Sequence, residues 1–164
     1  MRLHGRQFAR LYHDDYCTRD EINGFLSALA DRTYGLSFEH CVDIVSSFLS
    51  TPGIENLGAV KRLSITGAAL ISDVEYARLG KMISESIQLK RLELCLRLGY
   101  RRHALFPCLA NAINIKYLSV QDDDSQLKPD FDPLIRLLQN PQNQLKTLNV
   151  SGLRGEHLLS ISQL

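Results

Sequence analysis

The segment Leu89-Lys-Arg-Leu92-Glu-Leu94 carries an apolar residue followed by two others, three and five positions later. The same pattern occurs in Val60-Lys-Arg-Leu63-Ser-Ile65, Ile115-Lys-Tyr-Leu118-Ser-Val120 and Leu145-Lys-Thr-Leu148-Asn-Val150. The first residues of these segments are 29 (89 − 60), 26 (115 − 89) and 30 (145 − 115) positions apart. Four copies at nearly constant spacing indicate a structural repeat.

Each copy predicts a short strand whose alternate residues point into a core. Neighbouring strands are then expected to form a parallel sheet, and the rest of each repeat must return across one side of it. The segments that connect the strands carry apolar residues at the three- and four-residue spacing of helices. After a predicted cap at Asp73, the first helix carries Tyr76, Leu79, Ile83 and Ile87. The second carries Leu105, Cys108, Leu109, Ala112 and Ile113, and the third, after Asp132-Pro133, carries Leu134, Leu137 and Leu138.

Over roughly residues 57–164, these repeats resemble the leucine-rich-repeat family in its long, ribonuclease-inhibitor-like form. The resemblance implies a right-handed α/β solenoid with parallel strands on the concave face and helices on the convex face. Family members often place asparagine or cysteine three residues after the last core position. This chain has Ala68, Arg97, Asp123 and Leu153 there, so we expect irregular loops.

Residues 1–56 match the repeat poorly and are predicted to form a helical cap plus one degenerate repeat. Thr18-Arg-Asp-Glu21 is a capping box for a helix carrying Ile22, Phe25, Leu26 and Leu29. Tyr34 and Leu36 lie 29 residues before Leu63 and Ile65 (63 − 34 and 65 − 36), which assigns them to the degenerate strand. A second helix is expected to carry Phe38, Cys41, Val42, Val45, Phe48 and Leu49 and to stop at Thr51-Pro-Gly53. Residues 156–164 are expected to form a last helix.

The strand residues outside the core are the candidate binding surface. Arg62, Arg91, Tyr117 and Thr147 occupy the position before the middle core residue. Ser64, Glu93, Ser119 and Asn149 occupy the position between the last two core residues. Arginine and tyrosine are enriched at protein–protein interfaces, so we predict that these eight residues contact a partner. A merely solvated sheet face is the alternative.

Charged residues suggest two further sites. Lys61, Lys90, Lys116 and Lys146 share one repeat position, which is consistent with a phosphate ladder or with solvation of the strand entrances. A basic group is followed one repeat later by an acidic group: Arg97, Arg101, Arg102 and His103, then Asp122, Asp123 and Asp124. These two groups either pair with each other or form a bipolar rim. The aspartates lack the glycine and glutamate of a calcium loop.

No catalytic constellation is visible, and we predict no enzyme activity, cofactor or metal. His40 and Cys41 are adjacent, but neighbours on a helix point in different directions. His13-Asp14-Asp15 with Cys17 matches no standard zinc spacing. Phosphate-binding glycine motifs and HExxH are also missing.

Composition restricts the class of protein. The 164 residues have 45% hydrophobic content and a formal net charge of +1, which argues against disorder and against a general attraction to polyanions. The amino terminus lacks the apolar region of a signal peptide, and no apolar run is long enough to span a bilayer. Four cysteines without framework spacing fit a reducing compartment. A cytoplasmic protein is expected, or one delivered into a host cell without a cleavable signal.

Together these features predict a protein–protein interaction module that binds a macromolecular partner through the concave face or the loop rim. One specific version is a secreted bacterial effector acting on a host protein, because such effectors have similar compact repeats. Alternatives are the substrate-recognition part of a larger ubiquitin ligase and an intracellular eukaryotic adaptor. A polyanion binder ranks last because of the small net charge.

Overall fold

A seven-stranded sheet runs through the protein, with its strands in chain order. The computed structural model describes residues 2–3, 8–12, 35–40, 42–50, 60–68, 72–96, 102–122 and 132–151. The strands are β1 (Arg2–Leu3), β2 (Phe8–Tyr12), β3 (Gly35–Glu39), β4 (Arg62–Ala68), β5 (Arg91–Leu96), β6 (Tyr117–Asp122) and β7 (Thr147–Val150). β1 is antiparallel to β2, and every later neighbouring pair is parallel. The predicted α/β architecture with a parallel sheet is confirmed.

Within the described residues, four helices connect strands β3 to β7, because a parallel pair needs a crossover between one strand and the next. They are α1 (Val42–Ser50), α2 (Asp73–Glu85), α3 (Arg102–Leu109) and α4 (Asp132–Gln139). They alternate with strands β3 to β7 along the chain, and each helix contacts the next one.

The core lies between the sheet and these helices. Two rows of inward side chains, each at most 3% exposed, cross the strands from β3 to β6. One row is Leu36, Leu63, Leu92 and Leu118, and the other is Phe38, Ile65, Leu94 and Val120. Buried helix residues, among them Tyr76, Leu79 and Leu105, join the same cluster. Burying a large apolar side chain contributes about 1.5–3 kcal/mol, so these rows dominate the stability of the repeats.

The start of α2 lies one residue earlier than predicted. Ser72, and not Asp73, is the N-cap: the backbone N–H of Glu75 donates to Ser72 Oγ at 3.3 Å. The Glu75 carboxylate in turn accepts from the Ser72 backbone N–H at 2.9 Å, which completes a capping box. Asp73 belongs to the first turn, where its negative charge interacts favourably with the helix dipole.

The end of α2 also differs from the prediction. Tyr76, Leu79 and Ile83 are buried as expected, but Ile87 is 70% exposed. The helix ends at Glu85, so the helical spacing no longer applies at Ile87, and Met82 is buried instead.

The register of β3 was predicted two residues too early. Leu36 is aligned with Leu63 and Phe38 with Ile65, whereas the prediction had aligned Tyr34 and Leu36 with those residues. The repeat is therefore 27 residues here (63 − 36) and not 29.

Phe38 lies in β3, and its assignment to the following helix was wrong. The strand ends at Glu39, and the left-handed backbone of the next residue, His40 (φ 56°), separates β3 from α1. The His40 backbone N–H donates to the Thr66 carbonyl oxygen at 2.9 Å, which ties this break to β4. The predicted helix residues Val45, Phe48 and Leu49 are buried.

Strands β1 and β2 within residues 1–56 were not predicted. The helix expected over Ile22–Leu29, the one expected over residues 156–164, and Cys41 all lie outside the described residues. The boundary between residues 56 and 57 stays a prediction.

A bulge interrupts β4 at Gly67. Thr66 is aligned with Cys95 and Ala68 with Leu96, so Gly67 is an extra residue in the ladder, with φ of 66°. A Cβ atom at Gly67 would clash with the His40 ring.

We expect Gly67→Ala to lower the free energy of unfolding by about 1–2 kcal/mol, the cost of the left-handed conformation for a residue with a Cβ. The His40 ring must also move to make room for the new Cβ atom. Urea denaturation measures the change, and Ser64→Ala in the same strand is the control, expected to change stability by less than about 0.5 kcal/mol. Equal stability of wild type and Gly67→Ala would show that the bulge does not require glycine.

Candidate protein-binding surface

The side chains that alternate with the core residues form the open face of the sheet. Strand pairing aligns Arg62, Arg91, Tyr117 and Thr147 as its first row. It aligns Ser64, Glu93, Ser119 and Asn149 as its second row. The structure thus places all eight predicted contact residues on one face of the sheet, in the predicted register, but Ser119 is buried there, with 7% of its surface exposed. Their contact with a partner stays a prediction.

The open face lies opposite the helices. Along β5, Leu92, Leu94 and Leu96 are buried among the helix residues, while Arg91 is exposed and Glu93 half-buried between them. Among the described residues, the buried side chains of all four helices belong to that same inner cluster, so these helices leave the other face uncovered.

Arg91 makes two side-chain contacts on the open face, one with Glu93 and one with Tyr117. Its Nε donates to Glu93 Oε1 at 2.8 Å, and Nη2 of the same guanidinium donates to that oxygen as well. Its guanidinium carbon also lies 3.9 Å from the centroid of the Tyr117 ring. Such a cation–π contact contributes about 0.5–1 kcal/mol at an exposed site. The two contacts hold Arg91 in one orientation before any partner arrives.

A hollow of about 420 Å³ opens on this face across β3, β4 and β5. Its lining combines apolar residues with both signs of charge: Leu36, Ser37, Glu39, Arg62, Leu63, Ser64, Arg91 and Glu93.

The other end of the open face is polar and uncharged. Asn149 Nδ2 donates to Ser119 Oγ at 3.3 Å, which joins the second row across β6 and β7. Thr147 and Asn149 are exposed. Charge therefore decreases from β4 and β5 towards β7, as predicted.

Sequence reasoning missed two residues of the hollow, Ser37 and Glu39. Both lie in β3 and are aligned with Ser64 and Thr66. The alternation Leu36-Ser37-Phe38-Glu39 contained the signal for them, but the shifted register concealed it.

Two cysteines lie among the described residues, and both are reduced thiols. Burial raises the pKa of the Cys108 thiol, which lowers its thiolate fraction and argues against a nucleophilic role. In the part of the chain that the structure describes, no three histidine, cysteine, aspartate or glutamate side chains could hold one metal ion.

Several candidates fall outside the described part. They are the group His13, Asp14, Asp15 and Cys17, whose spacing matches no standard zinc site, residues Arg97, Arg101, Asp123 and Asp124, and the side chains of Arg102, His103 and Asp122. None of the helices in the described ranges is long and apolar enough to cross a membrane.

Comparison with known proteins finds a similarity of structure. No protein-family model matches this sequence, and no curated protein matches it. Among solved structures, the C-terminal domain of tropomodulin, from structural genomics of Caenorhabditis elegans, superposes with a TM-score of 0.53. The alignment covers 97% of this chain and 81% of that one, at 14% sequence identity. This chain therefore has a repeat-like α/β fold similar to the leucine-rich-repeat-like fold of that domain.

Proposed function

We propose that this protein is a protein–protein interaction module, built as a right-handed leucine-rich-repeat solenoid, which holds its partner on the open face of the sheet. The observation that carries the proposal is the arrangement of Arg91 over Tyr117, in register with Arg62 and beside the hollow. Arginine and tyrosine are the residue types that most often dominate binding energy at interfaces.

The fixed position of Arg91 supports binding for an energetic reason. Immobilising a flexible side chain on association costs about 0.5–1.5 kcal/mol. Arg91 already donates to Glu93 and packs on Tyr117 in the unbound protein, so it loses less conformational freedom when a partner binds. A pre-oriented guanidinium is also suited to bidentate recognition of a carboxylate.

The repeat supports the same conclusion. Its strands align side by side, so equivalent residues of successive repeats form continuous rows that a partner could contact together. The proposed right-handed winding follows from the strong preference of parallel strand connections, about 98% of which are right-handed.

The proposal includes no catalytic role. Delivery of the protein as a bacterial effector, membership of a ubiquitin ligase, and an adaptor role in a eukaryotic cell are more specific proposals that rest on the family resemblance alone.

Site-specific photo-cross-linking tests the proposed surface. A photoreactive amino acid at Thr147 or Asn149 places the probe on the open face, and the same residue at Ala77 places it on the exposed side of α2. After illumination in a eukaryotic cell lysate, we expect the same cross-linked protein from both open-face positions and none from Ala77. A specific adduct from Ala77 alone would assign the binding surface to the helices.

A further inference from the structure

We propose that the partner contributes an acidic polypeptide segment, which lies across the amino ends of the strands. The lysine row, defined as Lys61, Lys90, Lys116 and Lys146, would bind it together with the two arginines of the first row. This inference rests on the proposed function and specifies the chemistry of the partner.

Backbone hydrogen bonds place the four lysines in one line. The N–H of Lys90 donates to the Lys61 carbonyl oxygen at 2.9 Å. The backbone N–H groups of Lys116 and Lys146 each donate to the carbonyl oxygen of the preceding lysine in the row, at 2.8 Å. Neighbouring strands are about 4.8 Å apart, so the row is about 14 Å long and matches four or five residues of an extended chain.

Positive charge is concentrated at this edge. The lysine row and the neighbouring first row together hold six cationic side chains and no carboxylate. On the described part of the open face, Glu93 belongs to the second row and Glu39 is aligned with Thr66, further along the strands. The chain as a whole has a net charge of only +1, so the edge is a local feature.

The charges of Lys90, Lys116 and Lys146 are accessible to a ligand. Lys116 and Lys146 are exposed, and within the described residues neither has a carboxylate oxygen within 4.0 Å. Lys90 Nζ donates to the carbonyl oxygen of Ile87 at 3.2 Å, a neutral acceptor that leaves the ammonium charge uncompensated. Like charges aligned on neighbouring strands repel each other, and an anionic ligand would relieve that repulsion.

An acidic polypeptide fits this edge better than a nucleic acid does. Arg91 already covers one face of the Tyr117 ring, which removes that face as a platform on which a base could stack. A peptide can instead place carboxylates on the lysine row and direct other side chains towards the hollow.

Binding of a fluorescein-labelled oligoglutamate peptide, followed by fluorescence anisotropy, tests the inference. The variant is Lys116→Glu with Lys146→Glu, and the control is Lys81→Glu with Arg136→Glu, which reverses two exposed cations on α2 and α4. Both variants change the formal net charge from +1 to −3 (1 − 4), so long-range electrostatics are matched.

We expect wild type and control to bind the peptide with similar affinity and the lysine-row variant to bind about tenfold more weakly. No binding by wild type, or an equal loss in variant and control, would overturn the inference. Tighter binding of a single-stranded oligonucleotide of matched charge would overturn the inference and indicate that the ligand is a nucleic acid. The cross-linking test at Thr147 is independent of these results. The proposed function can therefore be correct even where this inference is wrong.

Discussion

Phe38→Ala is expected to lower the free energy of unfolding by about 3–5 kcal/mol, because it removes a large buried aromatic side chain and leaves a cavity. Phe38 is fully buried in β3, where it is aligned with Ile65. Its ring centroid lies 4.9 Å from that of Phe48 in α1, in a tilted arrangement. The substitution therefore weakens the contact between strand and helix as well as the inward row.

Equilibrium urea denaturation, followed by circular dichroism, measures this change. Phe38→Leu is the matched control: it keeps most of the apolar volume and is expected to cost less than about 1.5 kcal/mol. A loss below about 1 kcal/mol for Phe38→Ala would contradict the burial of this residue and the register of β3 that places it in the core.

The four clear strands could be predicted because their pattern permits one register. In each copy, apolar residues stand at the first, fourth and sixth positions, and a shift by one residue would turn polar side chains into the core. Leu63, Leu92, Leu118 and Leu148 are aligned with one another as a result.

The β3 register could not be decided by the same reasoning. Residues 34, 36 and 38 are Tyr, Leu and Phe, so both Tyr34/Leu36 and Leu36/Phe38 satisfy the alternation. The 29-residue spacing favoured the wrong pair. Packing distinguishes the two registers, because Leu36 and Phe38 continue the inward rows of Leu63 and Ile65.

The sequence of β2 indicates a strand only weakly, for a similar reason. The residues aligned with Leu36 and Phe38 are Ala9 and Leu11, and alanine contributes little to an apolar pattern. The N-cap of α2 was misplaced because Ser72 and Asp73 are both good capping residues. Glu75, three residues after Ser72, distinguishes them through the capping box.

The candidate surface was predictable as a set of rows but not as a site. Strand register alone placed Arg91 beside Tyr117. The contact between the two side chains depends on their rotamers, and the hollow depends on β3, whose register was shifted. Neither could follow from spacing in the sequence.

Charge reversal of the two arginines in the first row has the largest expected effect on binding. Arg62→Glu combined with Arg91→Glu is expected to reduce partner recovery at least tenfold, since a single hot-spot residue contributes about 2 kcal/mol or more. The new carboxylates would also repel an acidic partner and would stand beside Glu93, which Arg91 now neutralises.

The same double variant is expected to remain folded. Arg91 is exposed, and its contacts with Glu93 and Tyr117 each contribute at most about 1 kcal/mol to stability. Circular dichroism and urea denaturation check this. Lys81→Glu with Arg136→Glu is again the control, because it gives the same net charge from positions on the helices.

The comparison that tests the open face most directly is affinity recovery from a eukaryotic cell lysate, quantified by mass spectrometry. Wild type, the Arg62→Glu/Arg91→Glu variant and the Lys81→Glu/Arg136→Glu control serve as immobilised baits. The proposed function predicts a protein that wild type and control retain equally and that the arginine variant loses at least tenfold. Equal recovery of that protein by all three baits would contradict binding through the open face.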